Sequence, residues 1–262
     1  MWKLRSVIIS APSIVLFTVF IATLSLISSL WDKAGVAQHA LARIWARILL
    51  RLAFTSSSAT GVEKLDPNGT YVLVANHASF LDIPVILSAL PMEIRFFAKK
   101  GLFSIPFLGW HIRRSGHLEV ARGDARASLK SMLEGARLIR ERRISVVVFP
   151  EGGRSPDGVI RPFIEGAAYI AIKAGVPVVP VGLVNTRGVL PMGTLLLRGG
   201  AVEIHVGDPI ETSHMTPKDR AALSLLLHAK VCELAGQPAG HPFDQDVEYT
   251  NKREPDASHH SS

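Results

Sequence analysis

The sequence contains one cysteine, Cys232, among 262 residues. A disulfide framework and a cysteine-based zinc cluster each need several thiols, so both are excluded. A single cysteine is consistent with a protein kept in a reducing compartment. Internal repeats are also absent, and a chain of this length with 48% apolar residues can bury one sizeable core. We therefore expect one globular domain with appendages.

The sequence also lacks the G-x-S-x-G pattern of serine hydrolases. The nearest stretch, "GGRSPDG", has Asp157 where that pattern requires a glycine, which makes Ser155 a turn residue. Cys232 lies inside an amphipathic helical pattern, where a small buried packing residue is the ordinary interpretation. No covalent nucleophile is evident, so acyl chemistry would require direct attack by a hydroxyl of the substrate.

No charged residue occurs from Ser6 to Trp31. A helix over this run would be about 39 Å long, which is enough to cross the hydrocarbon core of a bilayer. A signal peptide is disfavoured because its apolar region is only about 7 to 15 residues long. Pro12 and several serines leave open a kinked helix that lies partly in the membrane interface. The first interpretation of this run is a membrane segment.

The next stretch, "AGVAQHALARIWARILLRLAF", predicts an amphipathic helix with Arg43, Arg47 and Arg51 at i,i+4 spacing. It can be a core helix with a solvated arginine stripe or a helix on an anionic membrane surface. Its position after a membrane segment favours the second. More basic residues follow the apolar run than precede it, which predicts a cytoplasmic location for the rest of the chain. Residues 1–55 are thus predicted to be a two-helix membrane element.

From about residue 56, short β-branched runs alternate with helical patterns. Strands are predicted at residues 70–76, 144–150, 176–184 and 201–207, and helices at residues 124–143, 163–175 and 216–236. This order indicates an α/β fold with a mostly parallel or mixed central sheet flanked by helices. We predict a globular domain over residues 56–236 and a polar, disordered tail over residues 237–262.

The net charge of +7 and the pI near 9.8 favour an anionic partner. Lipid headgroups, nucleic acid and a phosphorylated substrate are all anionic partners of this kind. Nucleic acid is disfavoured, because the basic residues are not interleaved with stacking aromatic residues and because the N-terminus is apolar.

The stretch "YVLVANHASFLD" places His77 between a predicted strand and a helix start, five residues before Asp82. Sites in α/β sheets gather at such strand ends. On one regular helix the two side chains would point about 140° apart, so they can meet only if the chain turns between them. The carboxylate would then fix the imidazole tautomer and leave the other nitrogen as a general base. Alternatively Asp82 is a helix N-cap, since Pro84 is typical of a first helical turn.

A second polar loop, "FPEGGRSPDG", ends the strand predicted at residues 144–150. It can be an ordinary glycine-rich turn with a solvated charge pair formed by Glu151 and Arg154. It can also be a binding loop. Gly152 and Gly153 would then bring backbone N–H groups close to a substrate oxygen, and Arg154 would present a planar cation to a phosphate. The residues alone leave both interpretations open.

Four blocks, in order, resemble the lysophospholipid acyltransferase superfamily. "NHASFLD" is similar to the family motif N-H-x-x-x-x-D, and "FPEGGRS" is similar to F-P-E-G-T-R-S with Gly153 in place of threonine. Between them, "KKGLFSIPFLGW" and "LEVARGD" resemble a lysine-bearing, aromatic-rich stretch and an element with Arg122 aligned and Ala121 where aspartate is usual. "VPVVPVGL" is similar to a strand that bears Pro180. The resemblance covers roughly residues 70–210.

The resemblance implies a membrane-associated acyltransferase domain. It would move a fatty acyl group from acyl-CoA or acyl carrier protein to the free hydroxyl of a lysophospholipid, with the bacterial inner membrane as the location. His77 would be the general base and Asp82 its orienting partner. The glycerophosphate site would be formed by Arg122, Glu151, Gly152 and Arg154, with help from Lys100. No metal and no redox cofactor is implied.

These observations lead to three alternative hypotheses about the function. The leading one is acylation of the sn-2 hydroxyl of lysophosphatidic acid to phosphatidic acid. The second is the same chemistry on another acceptor, such as a lyso-ornithine lipid or a different lysophospholipid. The third comes from another class, a non-enzymatic scaffold that holds anionic lipid on a basic surface.

Overall fold

The structure, a computed structural model, describes residues 1–32, 34–105, 108–120 and 125–238. The helices in these ranges are α1 (Trp2–Ser28), α2 (Val36–Leu52), α3 (Asp82–Ala89), α4 (Leu108–Arg114), α5 (Ala125–Arg142), α6 (Gly166–Ala174), α7 (Thr186–Val189) and α8 (Arg220–Leu234). The strands are β1 (Thr55–Thr60), β2 (Val72–Ala75), β3 (Ile94–Lys99), β4 (Leu118–Val120), β5 (Ser145–Val148), β6 (Val178–Val184) and β7 (Gly200–Val206). Most of the predicted tail, from residue 239 onward, lies outside the described residues.

The strands form one sheet in the order β1-β7-β6-β2-β5-β3-β4. Neighbouring strands are parallel except for β6 and β7, which run antiparallel. The predicted α/β class with a mixed central sheet flanked by helices is therefore confirmed. Because β2 and β5 are parallel neighbours, the loops that follow them leave the same edge of the sheet.

The central strand β2 is buried on both of its faces. Val72 and Val74 pack into a layer that contains α5, α6 and α8, whereas Leu73 and Ala75 pack into a layer that contains α2 and α3. All four side chains are 0% exposed. Burial of a valine or leucine side chain stabilises the fold by about 1.5–3 kcal/mol, so the end of β2 holds the first residue of the following loop at a fixed position.

The sequence patterns of β2, β5, β6 and β7 predicted these strands to within a few residues, and those of α5, α6 and α8 predicted the three helices. Helix α6 ends as predicted at Gly175, whose φ of 66° is the left-handed conformation that glycine adopts without strain. The first residue of the helix predicted at residues 124–143, Asp124, lies outside the described residues. Strands β1, β3 and β4 were not predicted.

Helix α1 is the one helix in the described part of the chain that is long and apolar enough to cross a membrane, by length and composition. Most of its large apolar side chains are exposed. Its ends are nevertheless joined to the globular part. Arg5 Nη2 donates a hydrogen bond to Arg198 O at 2.7 Å, and Arg114 Nε donates to Ser29 O at 2.9 Å.

Helix α2 packs against both α1 and the sheet. Trp45 Nε1 donates to Thr18 Oγ1 at 3.0 Å across the two helices. On α2, Ala46, Leu49 and Leu50 are buried in the core. One side of α2 is therefore part of the core, whereas contact of its arginine side with an anionic membrane surface stays a prediction. The predicted two-helix membrane element is confirmed only for the apolar character of α1.

The outer edge of β3 is partly closed by two histidine side chains, because β4 pairs only with the second half of β3. Nε2 of His39 accepts the N–H of Ile94 at 3.1 Å, and Nδ1 of His117 accepts the N–H of Phe96 at 3.1 Å. Burial lowers the pKa of His39 to about 4 and that of His117 to about 3, and the nearby guanidinium of Arg95 adds to both shifts. These two imidazoles are therefore neutral acceptors at pH 7.

Candidate active site

His77 and Asp82 meet at the end of the central strand. The chain leaves β2 at Ala75, turns through residues 76–81 and enters α3 at Asp82. This turn brings His77 Nδ1 to 2.7 Å from Asp82 Oδ2. The Asp82 side chain is fully buried, and that of His77 is 17% exposed. The pair is therefore buried on the carboxylate side and open on the imidazole side.

Asp82 Oδ2 also accepts the backbone N–H groups of Ala78 and Ser79, each at 2.8 Å. The carboxylate thus points back into the turn instead of capping the helix that it begins. The N-cap position is Leu81, and no side chain caps α3. The alternative that Asp82 is an N-cap was wrong, because its carboxylate is bonded to donors of the preceding turn and makes no capping hydrogen bond to the helix.

The imidazole of His77 is held in place by two contacts. Its ring stacks on that of Phe149 with centroids 4.0 Å apart and planes 17° apart, and its Nδ1 faces Asp82. A carboxylate partner makes Nδ1 the protonated nitrogen, which leaves a lone pair on Nε2. Nε2 has no hydrogen-bond partner among the residues that the structure describes. This is the arrangement of a general base that awaits its substrate.

Glu151 connects the loop after β2 with the loop after β5. Its Oε1 accepts the N–H of His77 at 2.7 Å, and its Oε2 accepts the N–H of Arg161 at 3.0 Å. Burial raises the pKa of the Glu151 carboxyl, and the two backbone donors oppose that shift. Both oxygens are thus occupied by backbone groups. A direct contact between Glu151 and a substrate phosphate stays a prediction.

The second loop lies beside the first and is more open. Gly152 has φ of +76°, a left-handed conformation, and a Cβ atom added to Gly153 would meet no atom within 4 Å. Ser155 N donates to His77 O at 2.8 Å, which ties the end of this loop to the histidine. The guanidinium carbon of Arg154 lies 3.6 Å from the centroid of the Phe80 ring. The structure therefore brings Gly152 and Arg154 next to the His77 pair.

Two predicted site residues are not brought into this cluster by what the structure describes. Lys100 begins a short 3₁₀ helix, Lys100–Ser104, directly after β3, and its side chain is outside the described atoms. Arg122 lies outside the described residues. The roles assigned to these two side chains stay predictions.

Three residues of the site were not identified from the sequence. Phe149 supports the His77 ring, and Phe80 supports Arg154. Asn76 Oδ1 accepts the N–H of Leu183 at 2.8 Å and its Nδ2 donates to Leu183 O at 3.0 Å, so that it prolongs the pairing between β2 and β6. The only signal for them was their position inside the two loops, since each acts on a residue that is distant in sequence.

Comparison with known proteins identifies an acyltransferase domain in this chain. The acyltransferase family model matches residues 57–184. The chain is 38% identical over 174 residues to the chloroplastic 1-acyl-sn-glycerol-3-phosphate acyltransferase BAT2 of Brassica napus. The aligned residues make up 66% of this chain and 50% of BAT2. It is 37% identical over 177 residues to the chloroplastic 1-acyl-sn-glycerol-3-phosphate acyltransferase LPAT1 of Arabidopsis thaliana, with 67% and 49% covered. The chain therefore spans about half the length of these relatives.

A solved structure agrees with this assignment. The fold is similar to that of the 1-acyl-sn-glycerophosphate acyltransferase PlsC from Thermotoga maritima, with a TM-score of 0.70 and 26% identity over 89% of this chain and 95% of that one. The region matched by the family model starts in β1 and ends with β6, so it contains both loops of the site. The chain therefore contains an acyltransferase domain, which the family model places at residues 57–184.

Proposed function

We propose that this chain is a 1-acylglycerol-3-phosphate O-acyltransferase. It transfers a fatty acyl group from acyl-CoA or acyl carrier protein to the sn-2 hydroxyl of lysophosphatidic acid, and the product is phosphatidic acid. The observation that carries the proposal is the contact of 2.7 Å between His77 and a fully buried Asp82, beside an arginine without a carboxylate partner among the described residues. The names of the relatives support the same acceptor.

In the proposed mechanism, Nε2 of His77 removes the proton of the acceptor hydroxyl. The oxygen attacks the thioester carbonyl, and the resulting imidazolium is stabilised by the Asp82 carboxylate against Nδ1. The tetrahedral intermediate then expels the thiolate, which leaves as the free thiol after it takes the proton back from His77. General base catalysis of this kind contributes about 10²- to 10⁴-fold to a rate. No protein nucleophile is needed, in agreement with the burial of Cys232.

Arg154 and the glycine loop are proposed to bind the phosphate of the acceptor, and Arg122 and Lys100 to assist. A guanidinium forms two parallel hydrogen bonds with a phosphate, which orients as well as attracts it. Glu151 is proposed to act mainly through the backbone of His77, because its two oxygens already accept N–H groups. This carboxylate keeps the base and the phosphate-binding loop at a fixed separation.

The proposed location is a membrane surface, with the domain on the cytoplasmic side of a bacterial inner membrane. The support is the exposed apolar surface of α1 and the charge excess of +7, which attracts an anionic bilayer. A lysophospholipid resides in the bilayer, whereas a thioester donor arrives from the aqueous phase. A site for both must lie at the interface between them.

The test is a panel of lysolipids assayed with purified protein and with both classes of donor. We expect lysophosphatidic acid to be acylated, and His77→Ala to lower kcat by at least about 10³-fold while the protein stays folded. His205→Ala is the matched control, since His205 is a surface histidine paired with Glu203. Acylation of another acceptor, such as a lyso-ornithine lipid, in preference to lysophosphatidic acid would contradict the proposed substrate. A non-enzymatic lipid-binding scaffold would instead be favoured if the unmodified protein acylated no acceptor with either donor and His77→Ala kept full activity in cells.

A further inference from the structure

The side chain of Phe80 is exposed in a loop that otherwise buries its apolar residues. Ala78 is 9% exposed, Ser79 1% and Leu81 2%, whereas Phe80 is 57% exposed. Leaving a phenylalanine ring in water forgoes the free energy that its burial would contribute. The loop between His77 and Asp82 therefore presents this ring outward although its neighbours are packed inside.

The exposed ring lies directly under the guanidinium of Arg154. The separation of 3.6 Å between the guanidinium carbon and the ring centroid corresponds to face-to-face stacking. Arg154 is half-buried and makes no hydrogen bond or ion pair with any residue that the structure describes. By contrast, the surface residues Arg137 and Arg220 each pair with a carboxylate. The contact with Phe80 is thus what holds the Arg154 side chain.

Stacking occupies the face of a guanidinium and leaves its N–H groups free in the plane. Those donors are the ones that bind a phosphate through two parallel hydrogen bonds. An arginine that is already ordered also loses less side-chain entropy when the phosphate arrives. A ring under Arg154 therefore orients the donors without competing for them.

We infer that Phe80 is a positioning residue for the acceptor phosphate, which acts by holding Arg154 from below. The inference rests on the proposed function for the identity of the acceptor. It links the two loops in a second way, since Phe80 belongs to the loop of the base and Arg154 to the glycine loop. Phe80 itself makes no polar contact, so its effect reaches the substrate only through the arginine.

The test measures steady-state kinetics with lysophosphatidic acid for Phe80→Leu, Phe80→Tyr, Arg154→Ala and the double variant Phe80→Leu/Arg154→Ala. We expect Phe80→Leu to raise the KM for lysophosphatidic acid about 3- to 30-fold, the range of a cation–π contact, with kcat and the donor KM changed less than about twofold. Phe80→Tyr keeps a ring and should retain the KM of the unmodified protein. Leu225→Ala is the control, because Leu225 on α8 is also 57% exposed and should have no effect.

The double variant separates positioning from a direct contact between Phe80 and lipid. In the Arg154→Ala background, Phe80→Leu should change the KM less than about twofold, because the residue through which it acts is gone. An equal effect of Phe80→Leu in both backgrounds would overturn the inference, as would a loss of kcat with an unchanged KM. Thermal unfolding of each variant excludes a loss of fold as the cause.

Binding measured without donor keeps this inference distinct from the proposed function. If the unmodified protein transfers no acyl group to lysophosphatidic acid from either donor, the proposed function fails. The dissociation constant of lysophosphatidic acid in detergent micelles then decides the role of Phe80. Weaker binding by about 3- to 30-fold in Phe80→Leu supports it, whereas equal affinity or a lack of binding in both proteins overturns it.

Discussion

The loops after β2 and β5 leave the same edge of the sheet, but Asp82 in the first loop and Arg154 in the second are held in opposite ways. In the first loop, Asp82 Oδ2 receives one imidazole nitrogen and two backbone N–H groups. In the second loop, Gly153 has no neighbour close to its missing Cβ, and Arg154 is supported only by an aromatic face among the described residues. The carboxylate in the loop proposed to move a proton is bonded by protein groups, whereas Gly153 and Arg154 in the loop proposed to bind a phosphate are left open for a ligand.

This difference follows from the tasks proposed for the two loops. A base must lie within about 2.6–3.2 Å of the heavy atom whose proton it removes, so a fixed tautomer and ring orientation are useful. A phosphate supplies its own hydrogen-bond acceptors, so donors satisfied in advance would have to be released before binding. The same logic separates His77, with an open nitrogen, from His39 and His117, whose nitrogens accept the N–H groups of β3.

The largest expected effect comes from changing the carboxylate that closes the first loop. Asp82→Asn retains an oxygen for the N–H groups of Ala78 and Ser79 but removes the negative charge that stabilises an imidazolium at His77. We expect kcat to fall about 10³-fold with the fold retained. Asp208→Asn, which removes a surface ion pair with Lys64, is the control. More than about a tenth of the original kcat in Asp82→Asn would mean that Asp82 is only a structural part of the turn.

His39 and His117, the two histidines that accept N–H groups of β3, predict that the folded protein loses stability at acid pH. Their pKa values in the folded state, about 4 for His39 and about 3 for His117, lie below the ordinary value of 6.5. Between pH 6.5 and these values the unfolded chain binds more protons than the folded chain, so the free energy of unfolding falls as the pH is lowered. Each histidine should contribute a loss of about 2 kcal/mol between pH 6.5 and 5.

Chemical unfolding in detergent at pH 7.5, 6.5 and 5 measures this dependence. His39→Gln keeps an acceptor near the position of Nε2 but cannot be protonated, so it should remove the part of the loss that His39 contributes, about 2 kcal/mol. An unfolding free energy that is as pH-dependent in His39→Gln as in the unmodified protein would contradict the assignment of His39 as a neutral acceptor. His77 would then no longer differ from the β3 histidines in the way described.

A smaller effect is expected at the residue that joins the two loops. Glu151→Gln leaves one of the two N–H groups, of His77 or of Arg161, without its acceptor. An unpaired N–H in a half-buried position costs about 1–3 kcal/mol, and a displaced His77 should lower kcat about 10- to 100-fold. The control is Glu165→Gln, since Glu165 forms an exposed ion pair with Arg220. If both variants have the same kcat, the two loops do not depend on Glu151.

The first loop was more predictable from sequence than the second. The short β-branched run of β2 located the end of a buried strand, and the spacing of His77 and Asp82 gave the turn as one of two possibilities. The second loop was identified, but its organising contacts were not. The contacts of Glu151 and Arg154 join positions 74 residues apart in sequence, and no local periodicity encodes them.

Three strands were missed for local reasons. Strand β1 reads "TSSSAT", and only its first residue is buried, so it lacks the apolar alternation of a strand. Strand β3 contains Arg95, which is only 2% exposed. Because arginine is usually exposed, its presence interrupts the apolar pattern by which a buried strand is predicted. Strand β4 is three residues long. All three lie toward the edges of the sheet, where side chains carry less of the core and the apolar signal weakens.

The smallest expected effect comes from changing the open loop conservatively. Arg154→Lys keeps the positive charge but removes the planar group that stacks on Phe80 and binds a phosphate through two donors. We expect the KM for lysophosphatidic acid to rise about 10-fold and kcat to change less than about threefold, whereas Arg137→Lys, on the exposed face of α5, should change neither. Steady-state kinetics with saturating donor separates the two parameters. A loss confined to kcat would place Arg154 in the chemical step, and the division between a closed catalytic loop and an open binding loop would then have to be abandoned.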